Sequence, residues 1–375
     1  MTTTSSAHLT CLCGDISEPG TLISNPEIPM NLEICHCNPC RRTTGSLGVA
    51  FPTLNSSPSQ DTLSKLTAYH SSQNTIRYFC STCGSHCFVV NYPNKEWYCL
   101  GGIVEQSPKS KATNTTWPED IIKVSRHDFV LDTVDGGLVP LMLNLNGRSI
   151  PTWSAASQER SSFDLPHTTV LSLPSKSTNT LPSPKEGSYL PAKCHCGGVS
   201  LLIKRANYTA DSNPEALTSH ISLDPTKYPT SMCACRSCRL STGVSLVPWA
   251  LTLQANIFHA NAQSPSGDQL VPVIFGRATS RPDANQGLSL KQYWSSQGVC
   301  WSFCGKCGAT VSYFNSQRPK EVDLAVGILR AEEGSMAKRW LDWEWGRCSF
   351  AEESIDKEVC EAWLGCEEVM KKIGG

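Results

Sequence analysis

Short runs of β-branched and aromatic residues recur along the chain between Gly, Pro, Asn and Ser. This pattern predicts antiparallel strands. The clearest are Phe88–Tyr92, Trp97–Leu100, Val199–Lys204, Thr310–Phe314 and Val322–Val326. A different period governs the tail, 351–372. There Ile355, Val359, Trp363 and Leu364 fall on one stripe at helical spacing, which predicts a short C-terminal helix capping what precedes it. Between these regions, residues 151–190 hold nine Ser, five Thr and five Pro among 40 positions, a composition with little to bury that reads as a linker. No run of 18 apolar residues occurs, so no membrane-spanning helix is expected. The fold expected is mainly β.

At 375 residues the chain has room for two domains or a little more. Its formal charge of −1 lacks the basic excess of a general nucleic-acid binder, so nucleic acid is not an expected partner. Met1–Leu9 is Thr/Ser-rich, with neither a basic start nor an apolar block. It is therefore not a secretory signal, and the cytoplasm, or else the nucleus, is the expected compartment.

The cysteines change the picture most. There are 20, and 14 of them lie in tight clusters: Cys11/Cys13, Cys35/Cys37/Cys40, Cys80/Cys83, Cys194/Cys196, Cys233/Cys235/Cys238 and Cys304/Cys307. In a reducing compartment these spacings favour zinc over disulfides. The order CxC, CxCxxC, CxxC occurs twice, with matching neighbours. Gly14 answers Gly197, Arg41 answers Arg239, Thr44-Gly45 answers Thr242-Gly243, Gly84 answers Gly308, and Gly102 answers Gly327. Such agreement indicates a tandem duplication. The division expected is residues 1–150, a 151–190 linker and residues 191–375. The second copy has longer gaps, with insertions near 206–219 and 262–287 that read as surface loops.

Each copy has seven clustered sulfurs, and a structural zinc takes four. In one partition the CxC and CxxC pairs join across the chain, and the three cysteines of CxCxxC are left to hold a second metal. The CxC pair would suit a strand, where residues i and i+2 face one side. In the other partition Cys37 and Cys40 pair with Cys80 and Cys83 as a zinc ribbon. Spacing alone leaves both open.

These motifs resemble the glutathione-dependent formaldehyde-activating enzyme family, which includes the centromere protein V relatives. The first copy carries Cys11-Leu-Cys13-Gly14, Cys35-His-Cys37-Asn-Pro-Cys40-Arg41, Phe79-Cys80-Ser-Thr-Cys83-Gly84 and Gly101-Gly102. The second carries Cys194-His-Cys196-Gly197, Cys233-Ala-Cys235-Arg-Ser-Cys238-Arg239, Phe303-Cys304-Gly-Lys-Cys307-Gly308 and Gly327. The resemblance implies two β-tent domains of antiparallel sheets around zinc, and the four-plus-three partition. It assigns structural zinc to Cys11, Cys13, Cys80 and Cys83, and again to Cys194, Cys196, Cys304 and Cys307. It assigns functional zinc, and the catalytic role, to Cys35, Cys37 and Cys40 and to Cys233, Cys235 and Cys238. Up to four zinc ions per chain follow, two structural and two with a coordination position for substrate.

The implied activity is that of a carbon–sulfur lyase acting on the aldehyde adduct of a small thiol such as glutathione. A thiol must ionise to attack a carbonyl, and zinc promotes this. The alternative is a non-catalytic, zinc-stabilised binding or scaffold module. Fourteen thiolates contribute −14 and four zinc ions +8, so −1 becomes −7. Arg41, Arg42, Arg236 and Arg239, beside the trios, are then candidates either for offsetting that charge or meeting a substrate carboxylate, or for a structural role. His36, between two ligands, reads as a bystander, and its counterpart is Ala234. The expected assembly is a pseudo-dimer of the two copies within one chain. The six unclustered cysteines (Cys87, Cys99, Cys300, Cys348, Cys360, Cys366) read as small apolar residues.

Overall fold

The structure, a computed structural model, describes residues 3–24, 30–92, 94–105, 122–156, 162–179, 181–182, 184–208, 222, 224–263, 270–276, 285 and 287–373. Most of the two expected surface insertions lies outside the described residues. The chain is mainly β, with several antiparallel sheets and a few short helices. Each predicted strand is present: His86–Asn91, Glu96–Cys99, Ser200–Lys204, Thr310–Asn315 and Glu321–Ala325.

In the second half, seven strands form one sheet, in the order Leu290–Ser296, Val299–Cys304, Thr310–Asn315, Glu321–Ala325, Val247–Leu253, Tyr228–Cys233 and Leu341–Ser349. The last pair runs parallel. The first half repeats this order in two pieces. Leu66–His70, Thr75–Cys80, His86–Asn91 and Glu96–Cys99 form one sheet, and Val49–Ala50, Met30–Cys35 and Ile122–Asp128 form another, again with its last pair parallel. The duplication extends past the cysteines. Phe129 and Phe350, each just after its parallel strand, both adopt left-handed backbone at φ 59° and 58°. A carboxylate then follows in each copy and accepts the first free backbone N–H of the helix that begins within CxCxxC. Asn38 donates to Asp132 and Arg236 to Glu353, each at 2.8 Å.

The two halves touch through matched contacts. The backbone N–H of Gly102 donates to Gly243 O (2.8 Å), and that of Gly327 to Gly45 O (2.9 Å). A Cβ on Gly102 would lie 2.2 Å from the Gly243 carbonyl carbon, and one on Gly327 would lie 2.3 Å from Ser46 O, so no larger residue fits either place. Phe79 and Phe303 meet edge to face at 6.4 Å, each ring lying where the Cβ of Gly308 or Gly84 would be. Glu105 pairs with Arg236 and Arg239 across the same boundary.

Within 151–190, Trp153 bridges to Asp164, His167–Asn179 is helical, and Leu165 and Val170 are buried in a cluster with Val130, Val139 and Leu143. The tail forms two helices, Lys357–Leu364 and Glu367–Lys372, broken at Gly365. Val359 and Trp363 are buried, with Trp363 packed on Trp343 and Trp345, whereas Leu364 is exposed. The helix also reaches the first half, where Glu358 accepts from Val124 N–H and pairs with Arg148.

Candidate metal centres

Four groups of cysteine sulfurs converge. In each of Cys11/Cys13/Cys80/Cys83, Cys194/Cys196/Cys304/Cys307, Cys35/Cys37/Cys40 and Cys233/Cys235/Cys238, all sulfurs lie within 4.8 Å of one another. Cys80 and Cys83 therefore gather with the CxC pair and not with Cys37 and Cys40. Zinc–sulfur bonds of about 2.3 Å in a tetrahedron place sulfurs about 3.8 Å apart. The Cys11–Cys13, Cys13–Cys80, Cys194–Cys196 and Cys196–Cys304 separations are 3.4, 3.6, 3.6 and 3.5 Å. That spacing fits a metal-bound thiolate set and is far from the 2.05 Å of a disulfide. All twenty cysteines are free thiols, and the groups can hold metal ions.

The CxC pairs do not lie in strands. Cys11 and Cys194 each follow a strand end, and Cys13 and Cys196 sit on the ensuing turn, whose glycines, Gly14 and Gly197, have φ of 85° and 74°. The turn wraps the two sulfurs together. Ile16 N–H donates to Cys11 Sγ (3.3 Å) and Val199 N–H to Cys194 Sγ (3.2 Å). The turn also sends its middle residue toward the other half. Leu12 packs in the apolar cluster around Cys233 and Cys238. Its counterpart His195 bonds Tyr69 Oη through Nδ1 (2.6 Å), and its N–H donates to Arg42 O.

Each trio has one local frame. Its first cysteine ends a strand, its second is the N-cap of a seven-residue helix, and its third lies in that helix's first turn. Cys40 N–H donates to Cys37 Sγ and Cys238 N–H to Cys235 Sγ, both at 3.4 Å. Gly45 and Gly243 end the helices in left-handed conformation, at φ 78° and 76°. Within the trios, hydrogen bonds from neighbouring thiols push Cys40 well below its ordinary pKa and lower Cys235 to about 3.

Around that common frame the two sites diverge. In the first, Arg77, only 5% exposed, places Nη2 3.2 Å from Cys40 Sγ and lies over the Phe51 ring. The corresponding pair in the second copy is Trp301 and Trp249, 6.1 Å apart, with Tyr313 against Trp301 at 4.8 Å. Cys233, Cys235 and Cys238 line a cavity of about 540 Å³, walled by those three rings and rimmed by Arg318, Asp323, Glu344 and Arg347. Arg318 pairs with Asp323 (2.6 Å) and Arg347 with Glu344 (2.7 Å).

The arginines flagged from sequence are largely engaged in the fold. Arg41 donates to the carbonyls of His36 and Asp132, Arg239 to those of Gly102 and Val104, and Arg236 pairs with Glu105. His36 is buried. Its Nδ1 faces Leu47 O and its Nε2 faces His127 Nδ1, both at 3.1 Å, and it belongs to none of the sulfur groups. Cys87, Cys99, Cys300, Cys360 and Cys366 are buried outside those groups, and Cys348 is half-buried. Motif reading missed Arg77, Trp301, Arg318, Arg347 and the crossing residues Leu12 and His195. Counting back three from Cys80 and from Cys304 would have set Arg77 against Trp301.

Residues 6–120 match the family model for the glutathione-dependent formaldehyde-activating enzyme. A solved structure of a Rhodobacter sphaeroides protein aligns at 18% identity over 37% of this chain and 87% of that one, with a TM-score of 0.22. No curated protein matches.

Proposed function

We propose, from the membership of residues 6–120 in the glutathione-dependent formaldehyde-activating enzyme family, that the chain is a zinc-dependent carbon–sulfur lyase of two such modules. Residues 1–150 and 191–375 are the modules, with 151–190 between them, and each would be a β-tent domain carrying two zinc ions. The four-sulfur groups hold structural zinc, and the trios hold the functional ions. The substrate is the aldehyde adduct of a small thiol of the glutathione kind. The matched contacts at Gly102/Gly243 and Gly327/Gly45 support reading the two modules as a pseudo-dimer.

The observation that carries the lyase reading is the placing of Cys233, Cys235 and Cys238 on the wall of a cavity of substrate size. A zinc ion held by three thiolates carries net charge −1, and when bound it supplies a position where a thiol ionises more readily than it activates water. The chain's own groups do the rest. Trp249, Trp301 and Tyr313 exclude water from one side, which strengthens every charge interaction within. At the rim, Arg318 and Arg347 would meet a substrate carboxylate and their partners Asp323 and Glu344 its ammonium group. In cleavage the adduct's C–S bond breaks, its hydroxyl proton is lost as the C=O forms, and the sulfur departs as thiolate.

Metal content and turnover of S-(hydroxymethyl)glutathione, measured together, test this. The intact chain should carry four zinc ions, Cys235→Ser should lose one of them together with the second site's share of formaldehyde release, and Cys37→Ser combined with Cys235→Ser should lose two and all release. Normal turnover by the double variant, or an intact chain without zinc, would defeat the proposal. A fully zinc-loaded chain with no turnover would favour the scaffold alternative.

A further inference from the structure

We infer that the cavity beside Cys233, Cys235 and Cys238 prefers the thiol adduct of a ring-bearing aldehyde to that of a one-carbon one. The inference rests on the thiol-adduct reading above and adds the class of carbonyl.

It starts from the comparison of the two copies. The same strands and the same helix present the sulfur trio in each. The first copy places Phe51, Arg77 and Val89 where the second places Trp249, Trp301 and Tyr313. At these three positions the first site has one ring, Phe51, and the second has three. Tyr98 and Phe129 also pack beside the first trio, so the second site differs in the rings of Trp301 and Tyr313 that line the cavity by its sulfurs. Trp301 and Tyr313 pack edge to face at 4.8 Å and Trp249 lies tilted to Trp301 at 6.1 Å; the two indoles are buried, so the half-buried Tyr313 ring is the face that a further ring would meet. Phe350 lines the same cavity while 53% exposed, an apolar ring that the fold itself does not bury.

Size and charge point the same way. A cavity of about 540 Å³ is in the range that holds drug-sized ligands. A single carbon on a thiol leaves the rings nothing to contact. The rim charges come as two pairs of opposite sign, Arg318–Asp323 and Arg347–Glu344, so the mouth has no net preference for an anion. It suits a thiol bearing both ammonium and carboxylate, with the apolar carbonyl fragment inward. In the first site the buried Arg77 guanidinium lies against Cys40 where the second site has the Trp301 ring.

The test uses the zinc-loaded full chain and two stable thioethers, S-benzylglutathione and S-methylglutathione, titrated by calorimetry. The ring should tighten binding at least tenfold, since burying one removes a large apolar area from water. Trp301→Phe should keep that preference. Tyr313→Ser, at a half-buried position, should reduce it, as should Trp301→Ala if it folds. Equal affinities for the two thioethers, binding of neither, or a preference unchanged by Tyr313→Ser would overturn the inference. Equal affinities alongside turnover of S-(hydroxymethyl)glutathione would leave the lyase reading standing. Absence of zinc from the intact chain would remove that reading itself.

Discussion

At the scale of single residues, the change with the largest difference in charge between the two centres is that from Arg77 to Trp301. Arg77 brings a buried cation to three sulfurs, whereas Trp301 brings an apolar wall. A buried guanidinium on a thiolate is costly to remove, because the anion left behind has lost its partner. Arg77→Met should therefore destabilise the fold by about 3 kcal/mol in urea unfolding, whereas Trp301→Phe should cost far less. His86 gives a second residue-scale prediction. Burial, aided by repulsion from Arg77, holds its imidazole neutral with a pKa down to about 3. The unfolded chain binds that proton near pH 6.5 and the folded chain does not, so stability falls as pH drops below about 6.5 toward 3. Between pH 7 and 5 this amounts to about 2 kcal/mol. His86→Thr, the residue the second copy uses at Thr310, should show a correspondingly smaller drop in urea midpoint. An equal drop would mean that other groups carry the pH dependence.

At the scale of elements, the glycines of the motif take on a mechanical role. Gly102 and Gly327 each sit in the middle of a short turn, and the N–H of each reaches the glycine that ends the other half's helix. Without a Cβ the two backbones close to hydrogen-bonding distance. With one they collide, and because the colliding atoms are backbone, no side chain can move aside. Gly102→Ala and Gly327→Ala should each cost about 2 kcal/mol or more and should loosen both trios at once, read as faster metal release to a chelator. The turn carrying each CxC pair shows the same economy. It gathers two sulfurs for its own half and lends its middle residue, Leu12 or His195, to the other.

At the scale of the molecule, the matched contacts make each half part of the other's surroundings. Residues 1–150 and 191–375 produced separately should be poorly soluble, and co-produced they should associate one to one, as judged by size-exclusion chromatography. Two stable, non-associating fragments would show that the shared boundary contributes little. Because binding of metal to the folded state alone adds directly to stability, chelation should lower the unfolding temperature of the intact chain.

Several features were legible in the amino-acid sequence before any coordinates. The mainly β character, the duplication and the six sulfur clusters all rest on local spacing, since strand period and CxC or CxxC intervals are properties of adjacent residues. The tail helix was legible for the same reason, apart from its break at Gly365 and the exposure of Leu364. Spacing left open which clusters combine, the resemblance implied the four-plus-three grouping, and the folded chain brings those sulfurs together. Tertiary structure alone decided that the CxC pairs sit on turns and that Arg77, Trp301, Leu12 and His195 surround the trios. Those contacts join residues tens to hundreds of positions apart, as Tyr69 joins His195. No local pattern encodes such distances, because they are fixed by the packing of one half against the other.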